Sequence, residues 1–423
     1  APKVPIFASV DGFLEILAAG FQATFMATEQ LVGIPRLERF LTELGRAARR
    51  KPGLSRVEQL ATTSLALLKG DYSSAEGKRV LAEKPATSTL HTVGQTGPID
   101  FRAFHPRGPY TATDRLKHYF RAFHYIGELQ LTDDERRLLD TDGPLQKTWE
   151  AWVATQSALL FGTRLPLLLD PDRAPPSYVR SDCIPAAIKT RPRLFPLAFG
   201  PDSEIWHSVV AHSGVPDDCQ VPGRALPSGL DLLTALGSSE AQAIQSDEYA
   251  RIPALQQAHE RLRRRFAPAL PSDRVSDSWL RLVQLLATDR TVPEGVDPQL
   301  WRRRLLQTAL ASWTNYRHTT VLLNENVSAE CGGDWRGFEQ LTSEPLRGAV
   351  DPVVESWEQL ARTLGQLTAH TRKMLPDQTD LARILDEARA QALSFARMAA
   401  LRRRGLPLSN DDYRAIQRFS GAI

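Results

Sequence analysis

The sequence predicts an all-α protein, many helices packed as two lobes without a substantial sheet. Three observations predict it. Apolar residues recur at helical spacing through most of the chain. No series of segments alternates apolar and polar residues as half-buried strands do. The 423 residues exceed the roughly 250–300 at which a single hydrophobic core stops growing.

The expected elements run in order. Residues 11–29 place Phe13, Leu17, Phe21 and Phe25 on one helical face, and shorter helices are expected over 35–48, 55–68 and 74–82. A loop rich in Thr and Gly follows at about 85–108. Residues 113–130 form a helix with Thr113 as its N-cap and a stripe of Leu116, Tyr119, Phe120 and Phe123. The next helix, 144–161, carries Trp149 and Trp152. Residues 170–201 are rich in Pro and Asp and lack a clean period, which marks a linker. The expected organisation is therefore an N-terminal lobe (1–169), a linker (170–201) and a C-terminal lobe (202–423).

In the second lobe, helices are expected over 203–212, 239–249, 254–266 and 273–286, with a turn and a short helix at 226–235. The long helix 298–323 has Asp297 as cap, and 334–344 is a loop or short helix. Residues 351–373 and 379–404 form a closing pair. A last helix, 409–419, starts at Ser409 with Asp412 at the capping-box position.

Composition is that of an ordinary globular chain, 42% hydrophobic and 24% charged. A net charge of +3 gives no argument for nucleic acid. The 43 Arg against 9 Lys suit a GC-rich genome. The triplets at 263–265, 302–304 and 402–404 read as solvated helix faces, with a docking patch for an acidic partner as the alternative. Three separated cysteines, Cys183, Cys219 and Cys331, make no zinc motif; one disulfide with a free thiol and three reduced thiols both remain open. No uninterrupted apolar run reaches the ~18 residues of a membrane span. The chain opens at Ala1, a start that a cleaved export signal or a trimmed sequence would both give.

No HExxH, GxSxG, P-loop or haem-attachment motif occurs. His207 and His212 are five residues apart and badly placed for a shared metal, so no metal ligand is proposed and no cofactor is indicated. Asp114 with His118, and His124 with Glu128, are spaced as ordinary helix-stabilising pairs.

Two segments hold chemistry. Residues 312–320 lie inside the long helix. There Leu306, Leu310, Trp313, Tyr316, Thr320 and Val321 share an apolar stripe, and Arg317 falls near its centre. A charge turned inward requires a partner. If Arg317 is buried and paired, Arg317→Ala should cost about 3–5 kcal/mol. His318 lies about 100° away, at the edge of the stripe. The other segment joins Arg107-Gly108-Pro109-Tyr110 to Tyr119–Tyr125 and combines aromatic, Arg and His groups. Each segment has a structural reading, polar atoms tethering loops, and a functional one, a shared pocket for an anion or a peptide carboxylate.

These segments carry a resemblance to domain-of-unknown-function family 3160, bacterial and archaeal proteins of which many are exported or lipid-anchored. Residues 5–11 resemble its opening P-x-F-V-T-T-D, and 107–110 its RGHY. Residues 119–122 match the start of YFRAMMW, and 226–238 resemble LPSGLDVMAVLGS. Residues 312–320 resemble SWAELRHDT, and 408–416 L-T-x-x-E-Y-x-x-I. The resemblance runs along nearly the whole chain and implies that Asp11, Arg107, Tyr110, Tyr119, Arg121, Asp231, Trp313, Arg317 and His318 line one ligand pocket.

The departures are informative. Where the family often has histidines after the opening Asp, this chain reads Leu14-Glu15-Ile16-Leu17-Ala18. The His of RGHY is Pro109, and the acids of the RHDT helix are Asn315 and Thr319. Paired aspartates after Phe161-Gly162 give way to Thr163-Arg164-Leu165-Pro166. Such a scaffold suits an exported accessory or structural component that binds a protein partner or a small anionic or peptide ligand without catalysis. The alternative is a hydrolase acting on peptide or cell-wall material between the lobes. It requires Arg107, Tyr119, Arg317, His318 and an acid, Asp11 or Asp231, to converge in one open cleft.

Overall fold

In the computed structural model, the apolar faces anticipated above fold into helices α1 (Val10–Thr28), α2 (Ile34–Arg49), α3 (Ser55–Leu68), α4 (Ala75–Ala82), α5 (Asp114–Gly127), α6 (Asp133–Asp140), α7 (Gly143–Ser157), α8 (Pro201–Ser208) and α9 (Gly229–Ala235). They continue as α10 (Ser239–Ile244), α11 (Ser246–Arg251), α12 (Pro253–Phe266), α13 (Val275–Thr288), α14 (Pro298–Thr319), α15 (Val354–Met374), α16 (Thr379–Arg403) and α17 (Asn410–Phe419). The structure describes residues 7–86, 88, 99–127, 131–140, 142–157, 194, 200–211, 215–268, 270, 274–320 and 348–419. The all-α class holds. Among the described residues the strands are two-residue pairs: β1 (Phe7–Ala8) runs parallel to β4 (Ala349–Val350), and β2 (Pro85–Ala86) antiparallel to β3 (Ile99–Asp100). Most of the expected linker, the expected helix end 321–323, the 334–344 element, Cys183, Cys331 and His212 lie outside the described residues.

The caps form as expected. Thr113 Oγ1 accepts from Leu116 N at 3.2 Å. Asp297 accepts from the backbone of Gln299 and Leu300, both at 2.8 Å. Asp412 accepts from Ser409 N at 2.8 Å while Ser409 Oγ accepts from Asp412 N at 3.2 Å. Each satisfies donors left open at a helix start. The expected single helix 239–249 is instead two, α10 and α11, with Gln245 between them.

α1 differs from expectation in one instructive way. Pro35 was expected to begin a separate helix. Instead α1 continues into α2 through a π-turn, Glu29–Gly33. Proline removes a backbone donor and crowds the preceding turn, and the wider turn relieves both. The joined helix contains a window apolar enough and long enough to cross a membrane, with mean hydropathy 1.2, although polar residues interrupt it. Its largest side chains, Phe13, Leu17, Phe21 and Phe25, are buried in the protein.

α1 packs on α14, α15 and α16, so the start of the chain lies among its last third. Phe13 stacks on Phe419 at 4.8 Å and meets Trp357 and Phe395 edge-on. Gly20 allows close approach: a Cβ there would lie 2.7 Å from Leu385 Cδ2. α2 packs on α3 and α7, and α3 on α5. One apolar core includes residues from all these helices.

Candidate functional site

The two segments singled out in the sequence meet across α1. A groove of about 520 Å³ runs along it. α1 supplies a floor of Ala18, Ala19, Ala23 and Met26, with Glu15 and Gln22, and the π-turn adds Gln30. The opposite wall is Pro109, Ala112 and Leu116, and the end of α14 adds Asn315, His318 and Thr319. α1 can do this because its buried residues recur every three or four positions, which turns the residues between them outward.

Of the nine residues expected in one pocket, His318 alone lines this groove. The other eight serve elsewhere. Asp11 accepts from Arg304 and from the Thr308 hydroxyl. Arg304 also reaches both oxygens of the buried Asp351 at 3.0 Å and lies 4.7 Å from the Trp301 ring centre. Asp351 in turn accepts from Val10 N at 2.8 Å. Burial raises the Asp351 pKa above the usual carboxylate value although Arg304 opposes it. This clamp ties the start of α1 to β4. It also corrects the reading of the 302–304 triplet: Arg302 and Arg303 are exposed beside Glu240, whereas Arg304 turns in.

Asp231 is fully buried and caps α9. It accepts from Ser228 N at 2.6 Å, from Arg224 at 2.8 and 3.2 Å, and from Gln245 at 2.7 Å. His259 Nε2 lies 3.1 Å away, and His259 Nδ1 meets the Tyr249 hydroxyl at 2.8 Å. Burial works to raise the Asp231 pKa, but His259 and Arg224 hold it below the usual carboxylate value.

Arg317 does carry its charge inward. Its side chain is 14% exposed and pairs at 3.4 Å with Asp202, itself buried. Trp313 Nε1 donates to the same carboxylate oxygen at 3.1 Å, and its ring meets Trp206 edge-on at 4.7 Å. Arg121 donates to Glu83 at 2.9 Å and to the Tyr72 hydroxyl at 3.3 Å. Glu83 takes a left-handed conformation, φ 51°, that side chains rarely adopt. Arg107 is exposed and caps the turn that holds Tyr110.

Tyr110 and Tyr119 are fully buried, with ring centres 6.2 Å apart. They lie behind the groove wall and close to Glu29 of the π-turn. Burial first, then the Glu29 carboxylate, raises both phenol pKa values well above their ordinary level. Gly33 leaves them room: a Cβ would lie 3.3 Å from Glu29 Oε2 and 3.5 Å from the Tyr119 hydroxyl.

Glu29, Asp202, Arg224 and His259 were missed as functional or structural polar residues. Their partners are distant in sequence or join through a turn, and no local spacing marks them. Asp351 and Arg304 were missed for the same reason. Among the described residues no group of three or more His, Cys, Asp or Glu is placed to hold a metal.

Comparison with known proteins bears on this arrangement. The family model described as Protein of unknown function (DUF3160) matches residues 1–159 and 180–423. The chain belongs to this family. No curated protein and no solved structure matches it. Membership in DUF3160 gives the departures noted above a location. Of the residues named above as departures from the resemblance, Leu14 and Leu17 are buried, whereas Glu15, Ala18, Pro109, Asn315 and Thr319 line the groove.

Proposed function

We propose that this DUF3160 protein is a non-catalytic binding component whose groove between α1, the 108–111 turn and the end of α14 receives a partner protein or ligand. One observation carries the reading. The groove is the place where the two distinctive segments meet, and small or neutral residues occupy most of its altered positions. General acid–base work needs groups placed to give and take a proton. Among the described residues, His318 and Glu15 are the titratable groups lining the groove.

The hydrolase alternative asked Arg107, Tyr119, Arg317, His318 and Asp11 or Asp231 to share a cleft. The acids are held by Arg304 and Arg224, Arg317 by Asp202, and Tyr119 is sealed, so this reading has little support. An exported location is part of the proposal. Cys219 is disulfide-bonded, and disulfides persist mainly in oxidising compartments.

Native mass spectrometry with elemental analysis, on protein isolated gently from its source, tests the function. The expected result is a co-purifying protein or organic ligand without a stoichiometric metal. A metal bound one to one would overturn the non-catalytic reading, and so would turnover of a peptide or cell-wall substrate that is lost in His318→Ala.

A further inference from the structure

The chemistry of the groove wall narrows its occupant. Among the described lining residues there is no Trp, Tyr or Phe, so there is no flat face on which a sugar ring or a base would stack. Among the described residues no Lys or Arg lines it, which leaves a phosphate or carboxylate without a lysine or arginine counter-charge there. The anionic ligand expected from Arg107 and Arg317 therefore has no receptor here. Three carboxamides remain, Gln22, Gln30 and Asn315, and each offers both donors and an acceptor. That pattern complements a peptide main chain, which presents N–H and C=O groups in turn.

Between the carboxamides the floor is alanine and methionine, shallow and apolar, which suits small or aliphatic side chains. From Glu15 to Gln30 the lining spans about 22 Å of helix, the length of roughly six or seven extended residues. Among the described residues Glu15 supplies the lining's one formal charge and makes no ion pair.

From this geometry we infer that the groove binds an extended peptide segment of another protein, with a lysine or arginine of that segment facing Glu15. This rests on the reading of the groove as a binding site and adds the class and charge of the occupant. The carboxamides hold the main chain, the alanines admit its aliphatic side chains, and Glu15 selects the sign of its charge.

Fluorescence anisotropy of two labelled heptapeptides tests the inference. One alternates lysine with alanine and leucine; the other has glutamate in place of lysine. Saturable binding of the lysine peptide alone is expected at low salt. Glu15→Gln should weaken it about fivefold, the scale of a partly exposed ion pair. Ala23→Trp should abolish it by filling the floor. Both positions are exposed, and circular dichroism confirms that each variant is folded.

Equal binding of the two peptides, or none of either, overturns the inference. So does lysine-peptide binding that survives Ala23→Trp. If these failures occur while a protein still co-purifies from the native source, the binding function stands and only the assigned occupant falls.

Discussion

Asp231 and His318 both come from motifs that looked functional in the sequence, yet the protein uses them in opposite ways. Asp231 is enclosed, and the Arg224 and Gln245 side chains, the His259 ring and a backbone N–H converge on it. His318 is exposed on a groove with open space in front of it. A motif of polar residues therefore mixes two kinds of position. Some build the frame, and others face what the frame is for.

The sharpest way to break this comparison is Asp231→Ala. It leaves Arg224 buried without its main partner and should cost about 3–5 kcal/mol, read from urea denaturation. A loss below about 1 kcal/mol would show that the enclosed network does not hold the frame.

His370 offers a second enclosed group, sharpened by pH. It is buried, lies 3.3 Å from the Thr28 hydroxyl, and burial lowers its pKa to about 4. The unfolded chain, with histidine near 6.5, therefore takes up the proton first. The neutral ring's stabilisation is complete above about pH 6.5 and is lost as pH falls towards 4. The expected loss is about 3 kcal/mol. Stability curves of the native chain and His370→Gln should converge over that window; parallel curves would reject the assignment.

Arg317→Ala should cost about 2 kcal/mol, below the range for a sealed pair. The guanidinium retains some exposure, and Trp313 still donates to Asp202. An unchanged melting temperature would mean that this charge does not belong to the frame. The smallest effect is expected at the groove, where His318→Ala should change stability by no more than about 0.5 kcal/mol. A larger loss would move His318 to the enclosed class.

Much of the fold was legible because periodicity records burial directly. The Phe13, Leu17, Phe21 and Phe25 face is buried as written, and Thr113, Asp297 and Ser409 cap as their types suggest. The π-turn was not legible, because Pro35 signals an ordinary helix start and only packing on both sides keeps the helix continuous. At the site, the inward charge of Arg317 and the edge position of His318 followed from the helical wheel. The partners did not: Asp202 is distant in sequence from Arg317, and Arg304 from Asp11, so no local pattern relates them. The groove was only half legible, since two of its walls were named and the third, the outward face of α1, resembles a plain solvated surface.

The π-turn has a consequence for cooperativity. One unbroken helical rod runs from Val10 to Arg49. Its first part is embedded among α14, α15 and α16, and its second among α3 and α7. Melting either surrounding set strips one end of the same rod, and the other set then loses its own packing partner. Urea should therefore unfold the described body in a single transition. A glycine pair placed in the turn would act as a fuse, letting the two ends of the rod melt independently.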